Sequence, residues 1–400
     1  MRLAGFPPPL TGWPGDAWVE GGFNHRVGGF NHRVHRVTQR NTGKHREKHG
    51  EFSRTVNGSG SRNIWCHFSV FDVLSIPLHQ PSLRVNPMDP QPVIAALQTA
   101  LPPVMRWGGA IAARMRHYNI AVDGKASGNA NTDALTLADL TVQELLVAAL
   151  RDADPVLRQC RIEGEETTGD MGRFSSDSSL SIAIDPIDGT KQYRDRTGNG
   201  YSIICHLHSD STPLYSLVFA PEMGSGGTWV EVLDGRIASG PDDPSRPARS
   251  VLNDLPNLFA ARTDPGPGVY LIGFQQRDTQ RAREVDQLRW NRRGMHLAGY
   301  TSDEMQGSIY PLMASGSYIG SLIHSPNIYD FPVSMHIARV RGGDALWVHN
   351  REPVHYRSLW LDERAGMLRY PGIVACSEDR EVLETLCQLA EHWNPVRYAD

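Results

Sequence analysis

The stretch that most constrains this chain is SIAIDPIDGTKQYRDRTG, Ser181 to Gly198. An apolar run, Ile182-Ala183-Ile184, ends in Asp185. Pro186 and Ile187 follow, then Asp188, Gly189 and Thr190. The pattern predicts a buried strand whose end releases two carboxylates around a turn. Strand ends that precede a helix start are where α/β folds bind ligands. Gly189 lets a ligand approach the backbone closely. A helix beginning at Thr190 would offer unpaired N–H groups to an anion such as phosphate. Taken singly, each acid is better read as a helix cap or a turn starter. A carboxylate pair also suits glycoside hydrolysis, but nothing else in the sequence supports that reading.

Three further acids join the pair. Glu165 lies in GEETTG upstream, and Asp139 and Asp330 stand at predicted helix starts. Oxygen ligands with no His or Cys among them favour Mg²⁺ over zinc. Residues 88–400 hold 29 Lys and Arg against 39 Asp and Glu. That surplus argues against a nucleic-acid polymer as partner and suits a cation site. Only two of those bases are lysines, Lys125 and Lys191. Lys191 directly follows the acid-rich motif, where a compact ammonium suits phosphate. There is no P-loop, G-x-G-x-x-G, G-x-S-x-G or H-E-x-x-H.

The 400 residues divide into three stretches. Residues 1–87 carry 11 Lys and Arg against 5 Asp and Glu, with GGFNHRV at 21–27 repeated at 28–34. They read as a disordered basic extension outside the fold, so that the functional protein begins near Met88. A transit peptide is a weaker reading of the same segment. Residues 88–245 read as an α+β lobe carrying most of the site. Residues 246–400 read as an α/β lobe that completes it, with the Pro/Ser/Asp-rich run 240–250 as the boundary. Pro102-Pro103 should break or kink the first helix. Thr136 is placed to cap the second, with Asp139 three residues on. Another helix is expected across 302–315. No apolar run reaches the roughly 20 residues of a membrane span. Five scattered cysteines without C-x-x-C point to a reducing, cytoplasmic setting.

The motif DPIDGT after an apolar strand, with GEE upstream, resembles the inositol monophosphatase superfamily of Mg²⁺-dependent, lithium-sensitive phosphatases. LTLAD and NIYDFPVSMHIARVRGGDALW are similar to two further segments of that family. The resemblance implies a layered α/β/α/β/α sandwich of the inositol monophosphatase/fructose-1,6-bisphosphatase type, with the site between two lobes. It implies that Glu165, Asp185, the carbonyl of Ile187, Asp188 and Asp330 hold two or three Mg²⁺ ions. Glu165, Thr190 and Asp139 would be the catalytic set. Asp188, Gly189, Thr190 and Lys191 would meet a small phosphorylated metabolite. Dimers are common among such proteins. Lys191-Gln192-Tyr193 and Ala220-Pro221-Glu222-Met223 look more like the 3′(2′),5′-bisphosphate nucleotidase branch than an inositol or sugar phosphatase. Phe331 and Arg341 depart from the family pattern, and are expected to bear on the substrate pocket. A non-catalytic phosphate-binding relative is the rival of another class.

Overall fold

The computed structural model describes residues 87–118, 134–259, 265–305 and 307–398. The expected extension up to residue 86, with its repeat, and Lys125 lie outside these. The described residues belong to one compact unit, Leu74–Asp400.

Helix α1 (Pro90–Tyr118) and α2 (Leu137–Ala153) open the fold. α1 runs unbroken through Pro102 and Pro103, against expectation. Burial of Leu97, Leu101, Val104 and Met105 along one side offsets the backbone bonds that the two prolines cannot make. Thr136 caps α2 as expected, and Asp139 completes the capping box by accepting from the Thr136 amide at 2.8 Å.

The first sheet follows the chain in order: β1 (Arg161–Gly164), β2 (Leu180–Asp188), β3 (Ser202–Ser209), β4 (Pro213–Ala220), β5 (Thr228–Leu233) and β6 (Arg236–Pro241). Only β1 and β2 pair in parallel; the remaining neighbours are antiparallel. Short helix α3 (Thr190–Asp195) leaves β2, and α4 (Ala248–Asp254) follows β6.

The second sheet holds β7 (Gly268–Ile272), β10 (Ala298–Thr301), β11 (Tyr318–His324), β12 (Asp344–Trp347) and β15 (Ile373–Ser377), in the order β10-β7-β11-β15-β12. Two small ribbons flank it, β8 (Arg289–Trp290) with β9 (Met295–His296), and β13 (Trp360–Asp362) with β14 (Met367–Arg369). The helices of this half are α5 (Asp278–Val285), α6 (Ile309–Ser315), α7 (Phe331–Val340) and α8 (Arg380–Ala390). α6 is shorter than the helix expected across 302–315, because Ser308 caps it and residues before it form a turn.

The layers are α, β, α, β, α. α1 and α2 cover one face of the first sheet, joining Leu101, Leu146, Ile184 and Leu217 in one core. α6 and α7 fill the space between the sheets, where Val218, Val230, Met313 and Val333 pack together. α5 and α8 cover the far face of the second sheet, with Leu271, Val285, Leu322 and Leu386.

Arg341 belongs to this scaffold and does not line the cleft described below, contrary to expectation. It pairs with Glu378 at 2.7 Å, both side chains buried, and donates to the carbonyls of Met313 and Ala314 at the end of α6. Removing one partner of a buried ion pair costs about 3 to 5 kcal/mol. Arg341→Met should therefore lower the unfolding free energy by that much, and the denaturation midpoint with it, while substrate preference stays as it is. A midpoint unchanged within error would contradict the assignment.

Candidate active site

The two acids of the opening motif are held by a strand irregularity, where a turn was expected. Asp185 pairs with Ile204 and Asp188 with Ser202, so three steps along β2 match two along β3. In a regular strand residues three apart point to opposite faces. The one extra residue corrects this. Carboxylate oxygens of Asp185, Asp188 and Asp330 thus lie within 4.8 Å of one another. Pro186 tolerates the irregular position because it has no N–H to leave unpaired. The Asp185 carboxylate accepts from the Ile187 amide at 3.0 Å, and Ser202 donates to Asp188 at 3.0 Å. Asp330 stands just before α7, whose Pro332 lies in the first turn.

Glu165 follows β1, and its amide donates to the Ile184 carbonyl at 3.1 Å. Gln143 on α2 fixes this segment from beneath. It accepts from the Glu166 amide at 2.9 Å and donates to the Thr168 carbonyl at 2.9 Å. A side chain on Gly164 would come within 2.7 Å of the Gln143 amide, which accounts for the glycine of GEE.

Gly189 has φ +85 and turns the chain from β2 into α3. The Thr190 hydroxyl sits 2.8 Å from the Ile187 carbonyl and 3.1 Å from Asp139 Oδ1. Asp139 does not line the cleft and reaches it through Thr190. Arg116 of α1 secures the next loop, donating to the Tyr193 carbonyl at 3.0 Å, to Asn199 at 3.0 Å and to Glu222 at 2.6 Å.

These groups border a cleft of about 1190 Å³. Glu165, Asp185, Ile187, Asp188, Gly189, Thr190, Lys191 and Asp330 all line it, so the structure brings together every predicted site residue except Asp139. Lys191 lies 3.4 Å from Asp195. Gln192 borders the cleft, but Tyr193 points into the core and donates to the Ala112 carbonyl at 2.8 Å. Phe331 forms part of the wall, edge-on to Tyr370 with ring centres 5.7 Å apart. Sequence reasoning missed Tyr270, Tyr310, His324, Arg369 and Arg397, which the second half contributes to the wall. They belong to no spaced motif.

Burial and mutual repulsion act on the acids together. Burial first, then the charges of Glu165, Asp188 and Asp330, hold Asp185 well above the usual carboxylate range. Asp330 is pushed up to about 8, by burial and then by Asp188 and Glu165. Asp188 is pushed up to about 6, again mainly by burial. Burial raises Asp139 to about 7 against the hydrogen bond from Thr136. A divalent cation would remove this repulsion. Clustered hard oxygens are the donor set that Mg²⁺ takes, so the residues present fit the ion.

Residues 97–236 match the family model described as "Inositol monophosphatase family". That similarity to the inositol monophosphatase superfamily spans 140 of the 400 residues. Members of that superfamily are metal-dependent phosphomonoesterases. Among solved structures, CysQ from Bacteroides thetaiotaomicron, a bacterial member of the inositol monophosphatase family, shares the fold. It is 15% identical with a TM-score of 0.50, covering 72% of this chain and 98% of its own. The extragenic suppressor protein suhB from Bartonella henselae is 14% identical with a TM-score of 0.48, covering 76% and 100%. Inositol monophosphatase from Anabaena (Nostoc) is 15% identical with a TM-score of 0.46, covering 76% and 98%. No curated protein matches by sequence. Among the described residues no helix is long and apolar enough to cross a membrane.

The raised pKa values have a thermodynamic consequence. Between the ordinary value of 3.8 and about 8 the folded, metal-free chain binds more protons than the unfolded one. Stability without metal should therefore fall as pH rises through that window. Mg²⁺ should raise the melting temperature more at about pH 8 than at about pH 5, where protons compete for the same oxygens. Thermal scans with and without Mg²⁺ check this. An increment independent of pH would contradict the metal assignment.

Proposed function

We propose that this protein is a Mg²⁺-dependent phosphomonoesterase of a small phosphorylated metabolite, of the 3′(2′),5′-bisphosphate nucleotidase type. The observation that carries the reading is the triad of buried Asp185 and half-buried Asp188 and Asp330 set beside the Thr190–Asp139 pair. Asp185, Asp188, Asp330, Glu165 and the Ile187 carbonyl would hold two or three ions. Mg²⁺, when bound, supplies Lewis-acid polarisation of the attacking water and of the phosphoryl oxygens.

The chain's own groups then do the following. The Gly189 and Thr190 amides receive phosphoryl oxygens and favour the charge that develops on them. Lys191 adds a cation at the same end. Thr190 orients the attacking water by accepting its proton in a hydrogen bond, while its own hydroxyl donates to Asp139. Asp139, raised to about 7, is poised to take a proton near neutral pH. Water forms a bond to phosphorus as the ester oxygen leaves in line, and the leaving oxygen regains a proton from solvent.

The inositol or sugar phosphatase reading uses the same centre and differs only in the cleft wall. Of the residues that favoured the nucleotidase branch, Lys191 and Gln192 border the cleft and Tyr193 does not. A catalytically silent phosphate binder would have no need to keep Glu165, Asp185, Asp188 and Thr190 together. Lithium inhibition, a homodimer and a cytoplasmic location accompany the proposal as expectations from the family.

Mg²⁺-dependent phosphate release is to be measured on adenosine 3′,5′-bisphosphate, inositol 1-phosphate and fructose 1,6-bisphosphate. Asp185→Asn should abolish turnover yet keep or raise the metal-free melting temperature, since it removes a buried like charge. Asp139→Asn should lower kcat by about 10²-fold with little change in KM. Turnover that survives in Asp185→Asn would overturn the reading.

A further inference from the structure

Glu165 differs from the other acids of the cleft in how it is held. It lines the cleft, but its carboxylate is not among the three whose oxygens lie within 4.8 Å of one another. Asp185 and Asp188 belong to β2, which has a strand on each side. Glu165 follows β1, the edge strand of the first sheet. Its amide reaches β2 through the Ile184 carbonyl, and the chain turns away at Gly169, where φ is +94. Among the described residues no strand flanks the outer side of β1 to fix this segment.

Gln143 takes that strand's place. It lies on α2 with no exposed surface, although glutamine is mostly an exposed residue type. Its side-chain oxygen accepts from the Glu166 amide at 2.9 Å. Its nitrogen donates to the Glu166 carbonyl, and to the Thr168 carbonyl at 2.9 Å. A side-chain amide brings an acceptor oxygen and two N–H donors, and here all of them are engaged. A carboxylate could not donate to the two carbonyls, and an ammonium could not accept from the Glu166 N–H.

The rest of α2 shows that this polar contact is not part of the core. The other residues that α2 buries are apolar, except Asp139 one turn before Gln143. Asp139 Oδ1 lies 3.1 Å from the Thr190 hydroxyl. One helix thus carries two supports of the cleft, a turn apart. Gln143 itself does not line the cleft. A methyl group on Gly164, just before Glu165, would come within 2.7 Å of the Gln143 nitrogen. Removing a group that holds a metal ligand in place lowers metal affinity by about 10- to 100-fold.

We propose that Gln143 is a positioning residue that sets the affinity of the site for its divalent cation, by fixing the backbone from which Glu165 reaches the ion. The proposal rests on the metal reading of Glu165 given above. Gln143 touches neither ion nor substrate, so its loss acts on cation binding and not on the chemistry of a filled site.

The test is calorimetric titration of Mn²⁺ into the full chain without substrate, at a temperature well below the melting transition of every variant. Gln143→Met keeps the length of the side chain and removes its three hydrogen bonds. It should raise the Mn²⁺ dissociation constant about tenfold or more. The Mg²⁺ concentration for half-maximal phosphate release should rise with it, while kcat at saturating Mg²⁺ stays within about twofold. Gly164→Ala reaches the same contact from the other side, since its methyl displaces the end of the Gln143 side chain. It should raise the constant in the same direction, and it decides the matter if Gln143→Met does not fold. Glu144→Ala is the control. It frees the Thr168 hydroxyl, now 2.9 Å from Glu144 on the exposed side, and leaves the Glu166 backbone held. Its constant should match the parent's. A lowered melting temperature with an unchanged constant in Gln143→Met and Gly164→Ala overturns the proposal. So does an equal rise in Glu144→Ala. A parent chain that binds no Mn²⁺ overturns the metal reading and this proposal with it. A parent that binds Mn²⁺ but releases no phosphate overturns the phosphatase reading alone, and the constants still decide the role of Gln143.

Discussion

Three carboxylates, one buried and two half-buried, lie within 4.8 Å of one another and repel, and the surrounding structure holds them in place. The repulsion is met from two directions. The strand irregularity between Asp185 and Asp188 turns both acids to one side, and α7 starts where Asp330 completes the group. Neither half of the fold supplies the triad alone. The helices α6 and α7, packed between the sheets, join the half that carries Asp185 to the half that carries Asp330.

This arrangement opposes stability in the metal-free chain and, under the proposed function, serves cation binding. Protonation relieves the cluster at low pH, and a divalent cation would relieve it at neutral pH. The positioning groups around it are satisfied independently of either. Gln143 holds the Glu165 segment, Arg116 the loop after α3, and Ser202 holds Asp188. The oxygens are therefore preorganised, which is what a hard cation with demanding geometry requires.

Much of the first half was legible in the sequence because its signals are local. An apolar run ending in Asp185, a glycine before a helix start, and Thr136 three residues before Asp139 each act over a few residues. The layered architecture followed from the resemblance, and the mixed α and β content in two lobes from alternating strands and helices. Other features depend on tertiary contacts and left no local mark. The strand irregularity looked like a turn, because Asp-Pro is a turn signal and register is set by the partner strand. Pro102 and Pro103 read as a break because the compensating burial comes from distant residues. Arg369 and Arg397 reach the cleft from a ribbon and from the segment after α8. Arg341, which reads as a pocket residue by position, is a buried clamp on α6.

The most direct test of the central claim is an anomalous difference map from crystals grown with Mn²⁺ in place of Mg²⁺. The account predicts at least one strong peak at roughly 2.2 Å from carboxylate oxygens of Asp185, Asp188 and Asp330 together, since Mn²⁺ shares the oxygen preference of Mg²⁺. A map with no peak among these three acids, at a Mn²⁺ concentration that supports phosphate release, would contradict it.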